Sequence, residues 1–348
     1  MPKTVEEIAR ETGFSITTVR FVISGQAEKY RISEKTKKQI EDYVAIHGYS
    51  LNHAARSLKL KRSDTIGLIV PDLSNAFFAR FMADIEILCR KQNLLLLTVP
   101  SHDDPELESR AITNLMARGV DGLVLAPCQA ATHPQLLRNQ DRRPIVLFDR
   151  DYGNQLFPTV VSDNFQGCYD MTRRMLKESK SPCYFLVGDA EQPAVQGVIR
   201  GPSIKERLRG FMTACAEAGI DRPERFVRME TEHTPEAGAS MMRALIEDLG
   251  GAPESFMCSA LLLLEGALQQ IRTQTGKISK NILIGTFDDH RMLDFLPNRL
   301  LSIRQDEQAL AERVFERLVG ARPAEKRGAK VVVVPTEMVC RNFRGAAS

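Results

Sequence analysis

The sequence predicts a two-part protein, with a small all-α head followed by an α/β body of doubly wound parallel sheets in two lobes. The first 62 residues contain three short helical patterns separated by glycines. The remainder alternates short apolar runs with helical patterns, which is typical of a parallel sheet covered by helices. A chain of 348 residues is also too long for one ordinary core, so several domains are expected.

The first helix is predicted from a capping box at residues 4–7. The Thr4 hydroxyl can accept a hydrogen bond from the backbone, while the Glu7 side chain reaches back. Gly13 then supplies a tight turn that ends the helix. The apolar residues between these signals follow helical spacing: Val5, Ile8 and Ala9.

Two further helices carry similar signals. Ser15 and Ser33 can cap them, and Gly25 and Gly48 end them. Their apolar stripes are Val19, Val22 and Ile23 in the second helix, and Ile40, Val44 and Ile46 in the third. Two short helices about a glycine turn, supported by a third, predict a helix-turn-helix domain whose second helix enters the DNA major groove.

The start of the second helix is therefore the expected DNA-reading surface. Threonine hydroxyls can bond bases or phosphates, and an isoleucine can touch a thymine methyl group. The residues expected to contact double-stranded DNA there are Ser15, Ile16, Thr17, Thr18 and Arg20.

The uneven charge of the chain agrees with a nucleic-acid partner. Residues 1–62 hold twelve Lys and Arg against seven Asp and Glu, although the whole chain has a net charge of only +3. A basic head on a nearly neutral body favours a polyanion as the partner of the head.

The body is predicted to contain eleven strands. They are expected at 66–70, 94–99, 122–126, 145–148, 160–162, 184–187, 226–229, 256–259, 282–287, 301–303 and 331–334. The helices predicted between them include 77–90, 106–117, 165–177, 204–218, 236–249 and 307–318. Eleven strands are too many for one compact sheet, so we expect two lobes with a ligand crevice at the strand carboxyl ends.

Several function classes are disfavoured. The sequence has no GxxxxGK[ST], HExxH or GxSxG motif, so we expect neither an enzyme nor a cofactor. The cluster Asp288-Asp289-His290 resembles a metal site, but its place after a strand favours a ligand-contact loop.

The sequence also favours a cytoplasmic location. No apolar run approaches the length of a membrane span, and the N-terminus has no secretory signal pattern. The seven scattered cysteines fit a reducing cytoplasm.

The order of motifs across the chain resembles the LacI/GalR family of repressors. In the head, the matching residues are Val5, Ile8-Ala9, Gly13, Ser15 and Thr18-Val19. In the linker, they are Tyr49, Asn52, Ala55 and Leu58. In the body, they are Ile66-Gly67-Leu68-Ile69-Val70-Pro71-Asp72. Arg20 and Phe21 depart from the family's usual residues, so the resemblance does not supply the operator sequence.

The resemblance implies a hinge helix over residues 52–59 that forms on operator DNA. Its DNA-contacting residues would be Asn52, Ala55, Arg56 and Leu58. Leu58 would enter the minor groove as an apolar wedge that kinks the duplex.

The resemblance also implies a body like a periplasmic sugar-binding protein, with a small effector between the lobes. The implied effector residues are Asn75, Phe77, Phe78, Cys128, Asp149, Arg150, Ser203, Arg207, Leu261, Asp288 and Gln305. A carboxylate can accept from two sugar hydroxyls, a guanidinium donates in a fixed fork, and aromatic rings cover apolar sugar faces. Residues 259–264 lack a polar ligand that many members have after the eighth strand.

Segments 146–150, 263–266 and 286–290 look most like the branch of sucrose-operon repressors and fructose catabolite regulators, which responds to fructose or its phosphates. Fructose or fructose 1-phosphate is therefore the expected effector. The basic residues expected near the crevice are Arg150, Arg200, Lys205 and Arg207.

The resemblance implies a helix-turn-helix domain at 1–51, a hinge and linker at 52–63, and an effector-binding and dimerisation domain at 64–345. The N-terminal lobe is expected at about 64–162 and 304–325, and the C-terminal lobe at about 163–303 and 326–345. A palindromic operator needs a two-fold dimer, and the chain lacks the C-terminal leucine-heptad helix of tetrameric members, so a homodimer is expected.

Three other hypotheses about function remain beside that of a sugar-controlled regulator. The chain could respond to a different effector, such as a purine corepressor. It could be a sugar-binding transport protein, which needs a secretion signal and no DNA-binding head. It could be an α/β enzyme with an appended helical domain, which needs a catalytic set that the sequence does not display.

Overall fold

The computed structural model describes residues 3–49, 62–139, 143–153, 156–179, 182–191, 199–320 and 331–343. Contacts within the chain separate a unit Met1–Ser63 from a unit Asp64–Ser348. The predicted hinge residues Asn52, Ala55, Arg56 and Leu58 lie outside the described residues.

The N-terminal unit contains the three predicted helices: α1 (Val5–Thr12), α2 (Ile16–Ile23) and α3 (Glu34–His47). The capping box is present, since the Thr4 side chain accepts from the Glu7 N–H and the Glu7 carboxylate accepts from the Thr4 N–H. Ser15 and Ser33 cap the other two helices as predicted.

A small apolar core joins these helices. Ile8, Val19 and Ile40 are each fully buried in it, one from each helix. Ile46 was expected on the same stripe of α3, but it is 76% exposed. At 100° per residue it points well away from Ile40 and Val44, so the prediction for this side chain was wrong.

The first lobe of the body is a six-stranded, all-parallel sheet. Its strands are β1 (Thr65–Val70), β2 (Leu95–Pro100), β3 (Gly122–Leu125), β4 (Ile145–Phe148), β5 (Thr159–Ser162) and β11 (Val331–Val334), in the order β11-β5-β4-β3-β1-β2. Helices α4 (Ala76–Lys91) and α11 (Glu307–Gly320) cover one face, and α5 (Pro105–Ala117) and α6 (Pro134–Asn139) cover the other.

The second lobe repeats this three-layer plan. Its strands are β6 (Tyr184–Val187), β7 (Val227–Met229), β8 (Ser255–Cys258), β9 (Leu283–Phe287), β10 (Leu300–Arg304) and β12 (Glu337–Arg341), in the order β12-β10-β9-β8-β6-β7. Helices α7 (Asn164–Glu178) and α8 (Pro202–Glu217) cover one face, and α9 (Pro235–Leu249) and α10 (Leu261–Thr275) the other. Short 3₁₀ helices lie at Pro223–Phe226 and Arg291–Phe295.

The described chain passes between the lobes three times, after β5, β10 and β11. This corrects the predicted lobe boundary, which placed all of 326–345 in the C-terminal lobe. Val331–Val334 instead pairs in parallel with Thr159–Ser162 of the first sheet, and only β12 joins the second, antiparallel to β10. The strand β12 was not predicted, because its five residues show no clear alternation of apolar and polar side chains.

None of the helices in the described ranges is both long enough and apolar enough to cross a bilayer.

Candidate functional site

A cavity of about 270 Å³ lies between the two lobes of the body. Its walls are the segments that directly follow β1, β2 and β4 in the first lobe, and β7, β8, β9 and β10 in the second. The start of α8 completes the wall with Ser203, Ile204 and Arg207. Parallel strands bring their carboxyl ends to one edge of a sheet, so loops distant in sequence meet here.

Nine of the eleven predicted effector residues line this cavity. They are Asn75, Phe77, Phe78, Asp149, Arg150, Ser203, Arg207, Asp288 and Gln305. The first five come from the first lobe and its strand ends, and the others from the second lobe or the crossing after β10, so the cavity is bounded on both sides.

Arg207 is the most constrained of these side chains. Its Nε donates to Asn164 Oδ1 at 2.7 Å, and its Nη1 donates to the Ser259 carbonyl at 2.6 Å. The guanidinium also lies over the ring of Phe287, 3.9 Å from the ring centroid. Burial lowers the pKa of Arg207, and the nearby carboxylates of Asp288 and Asp149 oppose that shift. These contacts hold a buried cation in one orientation.

Two buried carboxylates accompany this cation. Gln305 Nε2 donates to Asp288 Oδ1, and the Gln305 Oε1 atom is buried without a hydrogen-bond partner among the described residues. Burial raises the pKa of Asp149, although the charges of Arg150 and Arg207 lower it in part. Ser203 of the second lobe donates to the Asp149 backbone carbonyl at 2.8 Å. The cavity therefore offers fixed donors and acceptors of the kind that sugar hydroxyl groups need.

The aromatic wall belongs largely to the core of the first lobe. Phe77 and Phe78 are 3% and 5% exposed, and Phe78 packs edge to face against Phe148. Asn75 caps α4 by accepting from the Phe77 N–H. The cap and the ring packing together fix where this helix meets the cavity.

Two predicted effector residues, Cys128 and Leu261, are not among the described residues that line the cavity. The Cys128 N–H donates to the buried Glu108, and its carbonyl accepts from the Tyr152 hydroxyl, which holds this loop in place. Leu261 is the first residue of α10, and its neighbours Ala260 and Leu262 line the cavity instead. Apolar side chains thus stand where many family members have a polar ligand.

The sequence reasoning missed several lining residues. His102 and Asp103 follow β2, and Glu232, His233 and Thr234 follow β7. The rule that strand ends converge could have identified them. Burial and the positive charges of Arg207 and Arg150 lower the pKa of His233 to about 3, so its imidazole is neutral at pH 7.

The positive charge is less concentrated than expected from the sequence. Arg150 and Arg207 line the cavity, but Arg200 and Lys205 line a neighbouring cleft together with Asp151 and Glu206. Lys205 lies two residues from Arg207 on α8, and positions two apart on a helix do not face the same way.

Three of the five predicted DNA-contacting residues of the head lie on the exposed side of α2, and Ser15 and Thr18 lie at its start. Ile16, Thr17 and Arg20 are exposed, while Val19 and Val22 are buried on the opposite face. The hydroxyl groups of Ser15 and Thr18 lie 2.8 Å apart at the helix start. Phe21 stacks on Tyr30 with ring centroids 3.6 Å apart, which fixes the end of the helix.

Within the described residues, no group of three or more His, Cys, Asp or Glu side chains is arranged to hold a metal ion.

Comparison with known proteins agrees with this architecture. The model of the family "Periplasmic binding proteins and sugar binding domain of LacI family" matches residues 63–312. The sucrose operon repressor of Klebsiella pneumoniae is 32% identical over 316 residues, covering 90% of this chain and 91% of the relative. The fructose operon regulatory protein of Vibrio cholerae is 29% identical over 340 residues, covering 97% of this chain and 99% of the relative.

A solved structure supports the same relationship. The Cra transcriptional dual regulator of Pseudomonas putida, in complex with fructose 1-phosphate, is 26% identical, with a TM-score of 0.68 over 80% of this chain and 98% of that protein. Together with the helix-turn-helix head and the two-lobed body, these similarities establish that the chain belongs to the LacI family of sugar-responsive, DNA-binding transcription regulators.

Proposed function

We propose that this regulator binds fructose or fructose 1-phosphate in the cavity between its lobes, and that binding releases a palindromic operator. The main support for the proposal is that the Arg207 guanidinium and the carboxylates of Asp149 and Asp288 line the same cavity. All three residues are at most 8% exposed.

The chemistry of these groups suits a sugar. Each carboxylate can accept hydrogen bonds from two hydroxyl groups, and the Arg207 fork donates in one plane. The buried Gln305 Oε1 can accept a further hydroxyl hydrogen bond. The names of the relatives add support, because one regulates a fructose operon and another was solved with fructose 1-phosphate.

The cavity is bounded by both lobes, which suits a regulatory ligand. A ligand shifts a conformational equilibrium only by its differential affinity for the two states. A ligand held by Arg207 and Asp288 on one side and by Asn75 and Asp149 on the other can distinguish one lobe arrangement from another. Linkage then requires operator DNA to weaken effector binding by the same factor.

On the DNA side, we propose that Ile16, Thr17 and Arg20 read bases in the major groove. Leu58, outside the described residues, is proposed to enter the minor groove as a wedge. One head reads one half-site, so a palindromic operator implies a homodimer. We therefore propose that the homodimer is the DNA-binding species.

The proposal can be tested with duplexes that the full-length protein selects from a random library. Fluorescence anisotropy of a selected duplex would be measured during titration with fructose, fructose 1-phosphate, glucose and hypoxanthine. We expect a palindromic consensus, and release by a fructose compound with no effect of the other two. Release by hypoxanthine alone would favour a purine effector, and no selected consensus would contradict sequence-specific DNA binding.

A calorimetric titration provides the reciprocal measurement. The affinity for the fructose compound should fall when a saturating amount of the selected duplex is present. An unchanged affinity would show that the cavity ligand does not control DNA binding.

A further inference from the structure

The wall of the cavity carries more negative than positive charge. Among the described residues that line it, five are carboxylic acids and two are arginines. The acids are Asp72, Asp103, Asp149, Glu232 and Asp288, and the arginines are Arg150 and Arg207. His233 adds no positive charge, because its pKa lies at about 3. An anionic ligand therefore enters a site whose own charges repel it.

Both arginines already have hydrogen-bond partners among the described residues. Arg207 donates to Asn164 and to the Ser259 carbonyl. Arg150 donates to both carboxylate oxygens of Asp103, with 3.1 Å between Nη2 and Oδ2, and its Nε lies 3.6 Å from Asp149 Oδ2. A fork-to-fork pair of this kind is the geometry by which a guanidinium also binds a phosphate.

Asp103 approaches Arg150 from the solvent side. The side chain of Asp103 is 53% exposed, whereas that of Arg150 is 15% exposed. Burial alone would lower the pKa of Arg150, but the hydrogen bonds and charge of Asp103 outweigh it and raise that pKa above its ordinary value. The carboxylate thus occupies the accessible edge of the Arg150 guanidinium, where a phosphate group bound by Arg150 would lie.

We infer that Asp103 makes the cavity selective for an uncharged sugar, so that free fructose binds more tightly than fructose 1-phosphate. A phosphate monoester carries a charge of about −1.5 to −2 at pH 7. To reach Arg150 it would have to displace Asp103, and it would then lie beside that carboxylate and Asp149. A neutral sugar needs no such displacement. This inference rests on the proposed function, since it concerns the ligand of the same cavity.

Calorimetric titration of the full-length protein with fructose and with fructose 1-phosphate tests the inference. We expect the wild type to bind fructose at least about tenfold more tightly, a difference of about 1.4 kcal/mol. Asp103→Asn removes the competing charge and should raise the affinity for fructose 1-phosphate by about tenfold or more, while fructose affinity changes less than about threefold.

Glu106→Gln is the matched control, because it removes one negative charge from an exposed position three residues away that does not line the cavity. It should leave the ratio of the two affinities unchanged. Thermal melting of each variant would check the fold, and the exposed position of Asp103 leads us to expect a native melting temperature.

The possible failures are distinguishable. If neither compound binds the wild type, the proposed function is wrong and this inference falls with it. If fructose 1-phosphate binds more tightly than fructose, the proposed function stands and the inference is wrong. An equal response of Asp103→Asn and Glu106→Gln would likewise overturn the role of Asp103.

Discussion

Arg80 of the first lobe donates a hydrogen bond from Nη2 to the backbone carbonyl of Asp289 in the second lobe, at 3.2 Å. Its Nε donates at 2.8 Å to Glu307, the first residue of α11. Asp289 directly follows Asp288, the carboxylate that we propose binds the effector. A direct polar link between the lobes therefore lies one residue from the proposed ligand contact.

Arg80→Met should remove this link and keep most of the apolar stem. The Arg80 side chain is 39% exposed, so solvent screens its interactions, and we expect a loss of at most about 1 kcal/mol in the free energy of unfolding. Urea denaturation measures this loss. Arg90→Met is the control, because Arg90 is 71% exposed and pairs only with Glu86 of its own helix among the described residues. Equal midpoints for the two variants would contradict a stabilising role for the link.

Arg207→Ala should weaken effector binding by about ten- to a hundredfold, since a hydrogen bond to a charged group contributes about 1.5–3 kcal/mol. DNA binding without effector should persist, so the variant should act as a super-repressor. Calorimetry and anisotropy measure the two effects. Arg209→Ala provides the control on the same helix, because Arg209 is 57% exposed and pairs with Glu206. If both variants bind the effector like the wild type, the cavity is not the effector site.

Gly266→Ala should destabilise the second lobe severely. A Cβ atom at this position would lie 1.7 Å from the Pro235 carbonyl oxygen, so the backbones of α9 and α10 would have to separate. Overpacking that shifts the backbone costs about 1–3 kcal/mol, and occasionally more. Gly251→Ala is the matched control, because no atom lies within 4 Å of the added Cβ. Chemical denaturation of both variants gives the comparison, and similar unfolding midpoints would refute the close contact of these helices.

Asp289→Asn should lower stability at neutral pH and have little effect in acid. Burial by itself would raise the pKa of Asp289, but hydrogen bonds from Ser302, Arg304 and Arg341 outweigh it and lower the pKa. A carboxyl group with a lowered pKa in the folded state stabilises that state above its ordinary pKa of about 3.9. The stabilisation is lost as the pH falls through the lowered value.

We expect Asp289→Asn to reduce the free energy of unfolding by about 1.5–3 kcal/mol at pH 7, and the difference from wild type to shrink below about pH 4. Urea denaturation at pH 7, 5 and 3.5 measures it. Asp248→Asn serves as the control, because Asp248 is 60% exposed in its pair with Arg228. A loss for Asp289→Asn that stays constant with pH would contradict the proposed charge interaction.

Features that depend on neighbouring residues were predictable from the amino-acid sequence alone. The caps at Thr4, Ser15 and Ser33 were predictable because a cap involves groups within three positions of each other. The alternation of strands and helices was predictable because apolar periodicity is also local. Placing Arg207 and Asp288 at one cavity needed the resemblance to a family in addition.

Features that depend on residues distant in sequence became visible only in the folded protein. The sequence of the strand Val331–Val334 is compatible with either sheet. Its pairing with Thr159–Ser162 in the structure assigns it to the first lobe. The sequence shows that Arg200 and Lys205 are charged, but it does not show which cleft they line. In the folded protein both side chains line the neighbouring cleft. The pairing of Asp103 with Arg150 joins residues 47 positions apart, so no local pattern could show that a carboxylate occupies that guanidinium.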